Sequence, residues 1–292
     1  MKLKILRPET LTQALEFLKC NEGALPIAGF TDIAPALRHK KDIRITNSAV
    51  GIDLSLLTEL KNIDFKEDGI EIGALVTFSD IIKAKTVFPP QFEAIVQASA
   101  ATGTPQVRNR GTIGGNLATA SPAADLPVAL FVFDAVIRLK SADGERDVCV
   151  NEFNISPRVS CVKSDEIITS VYIKTPPSNV RSRFMKVGRR SGSSLSLVNM
   201  AIAAATKDGM FETCHVCAGA VAPRPTRLHE LESFVVGKRL PDISREDALS
   251  MIKNLISPIS DLHAAAGYRM KAAGKIFLKL LEEVEMEAQK ID

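Results

Sequence analysis

The sequence has 292 residues, of which 46% are hydrophobic, and its 37 basic and 34 acidic side chains leave a formal charge of +3. This length allows two domains or one large one, with enough apolar material for a sizeable core. Interspersed and nearly balanced charges exclude a general electrostatic attraction to nucleic acid or to an anionic membrane.

The first predicted elements are a strand, a helix and a second strand. Thr10 is a typical N-cap for a helix whose apolar residues recur at helical spacing and which ends at Gly23. The apolar run Ala24 to Ala28 predicts a short strand, and it leads directly into the turn Gly29 to Asp32.

The next part of the chain predicts helices around an irregular stretch. Residues 69–74 alternate as a strand does, and a helix is predicted over 91–101. The polar stretch 102–116 shows little periodicity, and a structureless segment of this length inside a domain is usually functional. Ser121 with Pro122 predicts the start of a helix that runs to about Phe133.

The remaining segments predict more strands, a linker and three helices. Pro176 to Asn179 is the predicted linker, and it places a domain boundary near residue 178. The predicted strands are 135–140, 145–150, 166–174, 182–188, 196–206 and 211–219. Asp143-Gly144 predicts a hairpin turn between the first two, and Asp208-Gly209 predicts a turn between the last two. The predicted helices are 227–236, 245–256 and 264–288, the last with an apolar stripe that includes Tyr268.

Cysteine and histidine spacing argues against a metal site or a disulfide framework. The five cysteines and four histidines are scattered along the chain. Cys214 and Cys217 have the spacing of half a metal site, but a strand would point them to opposite faces. The N-terminus lacks the apolar stretch of a signal peptide, and no run reaches about 18 apolar residues, so we expect a cytoplasmic protein.

Two glycine-containing turns are the candidate binding elements. One is Ala28 to Asp32, and the other is Thr112 to Asn116. Glycine allows close approach of the backbone and positive φ, so that successive N–H groups can converge on an anion. Neither turn is a Walker loop or a Gly-x-Gly-x-x-Gly fingerprint, so composition alone favours an ordinary tight turn.

The run from Thr112 to Asp125, Thr-Ile-Gly-Gly-Asn-Leu-Ala-Thr-Ala-Ser-Pro-Ala-Ala-Asp, resembles the signature of molybdenum hydroxylase flavin subunits. That family includes xanthine dehydrogenase, aerobic carbon monoxide dehydrogenase, nicotinate dehydrogenase and aldehyde oxidase. Further segments fit the family's pattern in order along nearly the whole chain. They are 28–32, 105–109, 186–190, 219–225 and 267–270.

The resemblance implies an α+β fold with two domains. The first, 1–177, would be a two-lobed FAD-binding domain of the vanillyl-alcohol oxidase-like (PCMH) type, with subdomains at about 1–55 and 56–177. The second, 178–292, would be the C-terminal sheet-and-helix domain of such flavin subunits.

The resemblance also implies which residues bind FAD. The turn that ends at Asp32 would run along the diphosphate and ribityl chain, and the second turn would close over the diphosphate. Neither a catalytic residue nor a metal ligand is expected. The implied cofactor-binding residues are Leu25, Pro26, Ile27, Ala28, Gly29, Phe30, Thr31, Asp32, Thr112, Ile113, Gly114, Gly115, Asn116, Asp125, Ile168, Met185 and Lys186.

Three positions depart from the family's pattern. Phe30 stands where the first turn usually has a second glycine, and a bulky residue at positive φ is strained. Met185 cannot supply the cation that relatives often carry there, although Lys186 next to it can. The stretch 191–195 lacks the acidic residue that relatives often have near Ser194.

Some charged residues keep two interpretations. Arg108 and Arg110 flank the second turn, where they could neutralise phosphate or be solvated loop residues. Asp32 is expected to be structural and to cap its own turn.

The resemblance implies an electron-transfer subunit. A molybdopterin-binding large subunit would hydroxylate a purine-like or other small substrate, and [2Fe–2S] clusters on a small subunit would carry electrons to FAD. NAD⁺ or another acceptor would then receive them. Two alternatives remain: a self-contained FAD oxidoreductase with its own substrate pocket, and a flavin-free assembly protein on the same fold.

Overall fold

The computed structural model describes residues 3–39, 48–189 and 195–289. Within these ranges the chain forms a three-stranded parallel sheet, a five-stranded and a four-stranded antiparallel sheet, and a two-stranded ribbon. The strands are β1 (Lys4–Leu6), β2 (Leu25–Ile27), β3 (Val50–Asp53), β4 (Ile63–Phe65), β5 (Gly69–Gly73), β6 (Val136–Ser141), β7 (Gly144–Cys149), β8 (Asn154–Ser156), β9 (Val159–Ser160), β10 (Ile167–Lys174), β11 (Val180–Gly188), β12 (Ser196–Lys207), β13 (Met210–Gly219) and β14 (Thr226–Arg227).

Helices cover these sheets, and with them the protein has the α+β fold that the sequence predicted. No helix in the described ranges is long and apolar enough to cross a membrane. The helices are α1 (Leu11–Cys20), α2 (Ile33–His39), α3 (Phe78–Lys83), α4 (Glu93–Ala101), α5 (Pro105–Arg108), α6 (Ile113–Thr119), α7 (Leu126–Phe131), α8 (Val150–Phe153), α9 (His229–Val235), α10 (Arg245–Leu255) and α11 (Ala266–Ala288).

The N-terminal lobe is the parallel sheet in the order β1-β3-β2, with α1 contributing to its core. The predicted N-cap is confirmed, because Thr10 Oγ1 accepts from the Gln13 N–H at 3.2 Å. The helix ends at Cys20, before the predicted Gly23. β2 lies at the edge of this sheet, and the turn that follows it contacts the second lobe, where Gly29 lies against the backbone of Arg110.

The second lobe is the antiparallel sheet in the order β4-β5-β10-β6-β7. The predicted hairpin at Asp143-Gly144 is confirmed by the pairing of Ser141 with Gly144 between β6 and β7. Buried side chains of this sheet form one continuous core with α4 and α7. That core extends to Val180, Phe184 and Ala201 of β11 and β12, so the C-terminal sheet packs directly on this lobe.

The C-terminal sheet packs helices on its other face. Its predicted turn is confirmed at Asp208 and Gly209, which both have positive φ as a two-residue hairpin turn requires. Cys217 lies in the core shared with the second lobe and Cys214 in the core under α9 to α11, so the two thiols diverge as predicted. Tyr268, expected on the apolar stripe of α11, is 50% exposed.

Two predictions about the middle of the chain are wrong. Residues 102–116 are not structureless, because they contain α5 and the start of α6. Thr112 is the N-cap of α6, and its Oγ1 accepts from the Gly115 N–H at 3.1 Å. Ser121 does not start a helix: its Oγ accepts from the Ala123 N–H, and α7 begins only at Leu126. The capping hydroxyl is used in a local turn instead.

Candidate functional site

A cavity of about 530 Å³ lies where the two N-terminal lobes meet. Its volume is within the range of small-molecule and cofactor sites. Most of its lining comes from three parts of the chain: the end of β2 with the turn after it, the region from Thr102 to Asp125, and the segment from Arg158 to Ile168. Leu54, Ala74, Leu75 and Phe78 also line it. Leu195, which directly precedes β12 and is 65% exposed, adds an apolar side chain.

The turn after β2 lines this cavity and contains backbone N–H groups that are not engaged within the described chain. Phe30 has a φ of 63°, in the left-handed region that residues with a side chain rarely adopt. The carbonyl oxygens of Phe30 and Asp32 accept from Ala34 and Ala36 of α2, so the turn's acceptors point towards the helix. Among the described residues, no acceptor lies within hydrogen-bond distance of the N–H groups of Gly29, Phe30 or Thr31. These three donors are therefore available to an anion.

The second glycine pair behaves differently, because it lies in the first turn of α6. The Ile113 N–H donates to Val76 O at 3.0 Å, and the Gly114 N–H donates to Ala74 O at 2.9 Å. The N–H groups of Gly115 and Asn116 donate to Thr112 Oγ1 and Thr112 O. All four donors thus have protein acceptors, so this element is not the converging N–H array that the sequence suggested.

The three glycines of the two elements have separate roles. A β-carbon on Gly29 would lie 1.9 Å from Arg110 O, so glycine allows the two loops to touch. One on Gly114 would lie 2.7 Å from Ala74 Cβ and 2.9 Å from Ala74 O, so glycine lets α6 pack on the chain after β5. One on Gly115 would meet Thr112 Oγ1 at 3.0 Å and otherwise only Ala28 Cβ at 3.9 Å, on the cavity wall.

Two polar side chains stand out at the far side of the cavity. Asn116 Oδ1 is buried without a hydrogen-bond partner, which is costly unless a ligand supplies one. Asp125 is buried and accepts from Ser196 Oγ at 2.5 Å, Asn199 Nδ2 at 2.7 Å and Lys186 Nζ at 2.7 Å. Lys186 is therefore joined to the site through Asp125.

The ionisable groups that line the cavity are ion-paired. Arg146 donates to both oxygens of Glu166, at 2.7 and 2.9 Å. These hydrogen bonds hold the pKa of Glu166 below its ordinary value although burial opposes them. Asp32 was expected to cap its own turn, but its carboxylate instead pairs bidentately with Arg158 at 3.0 and 3.2 Å.

Most of the predicted binding residues meet at this cavity. Ile27 and Ile113 are instead fully or almost fully buried in the cores, and Met185 packs against the C-terminal core. Met185 and Lys186 do not line the cavity wall. The predicted residues that do line it are Leu25, Pro26, Ala28, Gly29, Phe30, Thr31, Asp32, Thr112, Gly114, Gly115, Asn116, Asp125 and Ile168.

The remaining expectations concern Arg108, Arg110, Ser194 and metal ligands. Arg108 donates to the carbonyls of Thr102 and Gly103, so it closes its own loop, and Arg110 does not line the cavity. The expectation about Ser194 lies outside the described residues. No group of three or more potential metal ligands occurs in the part of the chain that is described.

Sequence reasoning missed several wall residues. Leu54, Leu75, Phe78, Val107 and Val162 line the cavity, but their sequence pattern is that of ordinary core residues. Arg158 and Glu166 also escaped notice. A basic residue in a turn carried no signal, because its partner Asp32 lies 126 positions away.

The comparisons with known proteins match both halves of the chain. Residues 1–176 match the FAD binding domain in molybdopterin dehydrogenase, and residues 183–284 match the CO dehydrogenase flavoprotein C-terminal domain. The chain is 31% identical to the glyceraldehyde dehydrogenase medium chain of Sulfolobus acidocaldarius, over 96% of this chain and 97% of that relative. It is 29% identical to the nicotinate dehydrogenase FAD-subunit of Eubacterium barkeri, over 95% and 94% of the two chains.

A solved structure shares the fold. It is that of reconstituted CO dehydrogenase from Oligotropha carboxidovorans, with a TM-score of 0.91 and 24% sequence identity, covering 98% of each chain.

Proposed function

The chain belongs to the family of FAD-binding subunits of molybdenum hydroxylases, and on that premise we propose that it is the electron-transfer subunit of a heteromeric complex. As a member it is an oxidoreductase subunit whose cofactor is FAD. The residues around the cavity then acquire specific roles, which divide between the diphosphate and the rings of the cofactor.

The observation that carries the proposal is that Gly29, Phe30 and Thr31 line the cavity and that their N–H groups have no acceptor among the described residues. Converging backbone donors after a strand suit a diphosphate. Gly115, which lies near Ala28 of the same turn and has no side chain, and Asn116, whose buried amide oxygen has no hydrogen-bond partner, also line this cavity. Asp125 is the proposed acceptor for a cofactor hydroxyl or ring N–H, with Lys186 and Ser196 fixing its carboxylate.

When bound, FAD supplies the redox chemistry, and the chain's own residues bind, orient and shield it. Apolar wall residues such as Leu54, Leu75, Phe78 and Ile168 exclude water from the cavity. The ionisable lining groups Asp32, Asp125, Arg158 and Glu166 already have charged partners. Paired groups are poorly suited to acid–base catalysis, which favours electron transfer over a substrate-oxidising site on this chain.

We further propose the partners and the route of the electrons. A molybdopterin-binding large subunit oxidises a small substrate, a [2Fe–2S] small subunit relays the electrons to this chain, and NAD⁺ or another acceptor receives them. The division at about residue 178 separates the FAD-binding domain from the C-terminal domain. A purine-like heterocycle is the first substrate to test, on the ground of family membership alone. The substrate would bind to a partner subunit, so no pattern in this sequence identifies it.

Affinity purification of the tagged chain from its native host tests the proposal. The expected result is co-purification of a large and a small subunit, with molybdenum, iron and FAD in the complex. Substrate added anaerobically should bleach the flavin absorbance of the complex but not of the chain alone. A chain that purifies without partners and oxidises a substrate by itself would instead establish a self-contained oxidoreductase.

A further inference from the structure

Arg158 occupies an unusual backbone position at the cavity. It lies in the tight turn between β8 and β9 with a φ of 61°, a region that side-chain-bearing residues rarely adopt. Its N–H donates to Ala120 O, at the C-terminal end of α6, at 2.9 Å. This bond holds the turn against α6, whose first residues line the cavity. It therefore fixes the backbone of Arg158 relative to the cavity.

The guanidinium is held next to the first turn. Nη1 and Nη2 of Arg158 donate to the two carboxylate oxygens of Asp32. Asp32 directly follows Thr31, the last of the three residues with unengaged N–H groups. Both side chains are partly exposed, so a ligand in the cavity can reach the pair.

Most of the charged side chains that line the cavity are acidic. Three carboxylates line it, those of Asp32, Asp125 and Glu166. Lys186 and Arg146 neutralise the latter two from behind the wall. In the described part of the chain, Arg158 is the one basic residue that lines the cavity itself. A diphosphate seated on the N–H groups of Gly29 to Thr31 would therefore meet the Asp32 carboxylate as a like charge, with the Arg158 guanidinium paired to that carboxylate at the cavity wall.

We infer that Arg158 is an FAD-binding residue whose guanidinium neutralises the diphosphate, with Asp32 as the residue that positions it. This inference rests on the proposed placement of the diphosphate at Gly29 to Thr31. Arginine suits the role because its planar fork bonds a carboxylate and a phosphate with the same geometry. The carboxylate keeps the guanidinium at the mouth of the cavity before the cofactor arrives.

The test measures FAD affinity by flavin fluorescence in the wild type and in the variants R158M, D32N and D32N/R158M. R158M is expected to weaken binding about tenfold at low salt, from the loss of a charged hydrogen bond at a partly exposed site. The deficit should shrink at high salt, because salt screens the charges. R158K should recover part of the affinity, and R239M, which removes an exposed arginine remote from the cavity, should change nothing.

The double variant separates direct contact from simple masking of Asp32. If Arg158 contacts the diphosphate, D32N/R158M remains weaker than D32N; if Arg158 only masks the carboxylate, the two bind equally and the inference is overturned. R158G controls for folding, because glycine suits a φ of 61° while the charge is lost. Its FAD affinity should fall without loss of stability. A wild type that binds no FAD would overturn the proposed function as well.

Discussion

Replacing Gly115 with alanine should separate cofactor binding from folding. Gly115 lies in the first turn of α6, where alanine is the better helix former. Its new β-carbon would meet only Thr112 Oγ1 at 3.0 Å and Ala28 Cβ at 3.9 Å, and the rest of its surroundings is open cavity. The matched control is Gly114→Ala, one residue away, where the β-carbon would lie 2.7 Å from Ala74 Cβ and 2.9 Å from Ala74 O.

Gly115→Ala should weaken FAD binding with little effect on stability, whereas Gly114→Ala should mainly lower stability. Gly115→Ala should change the free energy of unfolding by between about 0 and +1 kcal/mol, because the helical gain offsets a small shift of Thr112. Its methyl group enters the volume assigned to FAD, and overpacking of about 1.4 kcal/mol corresponds to a tenfold loss of affinity. Gly114→Ala should destabilise the protein by about 1–3 kcal/mol, because backbone atoms must move.

Urea unfolding of the apoprotein gives the stabilities, and fluorescence titration with FAD gives the affinities. The reasoning is refuted if Gly115→Ala binds FAD as tightly as the wild type. It is also refuted if Gly115→Ala is destabilised as much as Gly114→Ala, since that would make Gly115 a packing residue.

Three further predictions follow from backbone strain, a buried ion pair and the thiols. Because Phe30 has a φ of 63°, Phe30→Gly should be more stable than Phe30→Ala by about 1 kcal/mol in urea unfolding; equal stabilities would show that the turn relaxes when the ring is removed. Burial raises the pKa of Glu232, but hydrogen bonds from Arg227 and from the Val216 N–H outweigh it and hold that pKa below its ordinary value. The stability that this carboxylate contributes is therefore present above the unfolded-state pKa near 4.5 and is lost as the pH falls below it. Glu232→Gln should cost about 3 kcal/mol at pH 7, with the difference from wild type shrinking in acid; parallel pH profiles would contradict the assignment. Burial raises the pKa of Cys214 and Cys217, so Ellman's reagent should label them only after unfolding, whereas exposed Cys20 reacts in the native protein. Cys20→Ser should remove that fast phase, and fast labelling of Cys214 would contradict the packing.

Much of the fold could be predicted because its signals are local. The apolar period of α1, the Asp208-Gly209 turn and the alternation along β13 each depend on neighbours within a few residues. The sequence raised the possibility of strain at Phe30, and the structure gives this residue a φ of 63°. The same local rules placed the two cysteines on opposite faces of their strand.

The errors arose where distant segments compete for the same groups. Ser121 has the features of a helix N-cap, but its hydroxyl closes a local turn and α7 starts later, at Leu126. The N–H groups of Ile113 and Gly114 looked available for an anion, yet Val76 and Ala74 accept from them. No pattern around Thr112 shows that an earlier part of the chain supplies these acceptors.

The sequence by itself predicted the helices and strands that have strong local patterns, the location of both glycine elements and, through the resemblance of its long motif, the family and its cofactor. Only the tertiary structure decided which donors remain available: the N–H groups of Ile113 to Asn116 have protein acceptors, whereas those of Gly29 to Thr31 have none among the described residues. It also brought Arg158 to Asp32 across 126 positions of the chain, and Lys186 to Asp125. The physical reason is that hydrogen-bond satisfaction and charge neutralisation depend on which groups meet in space, whereas helical and strand patterns depend on spacing along the chain.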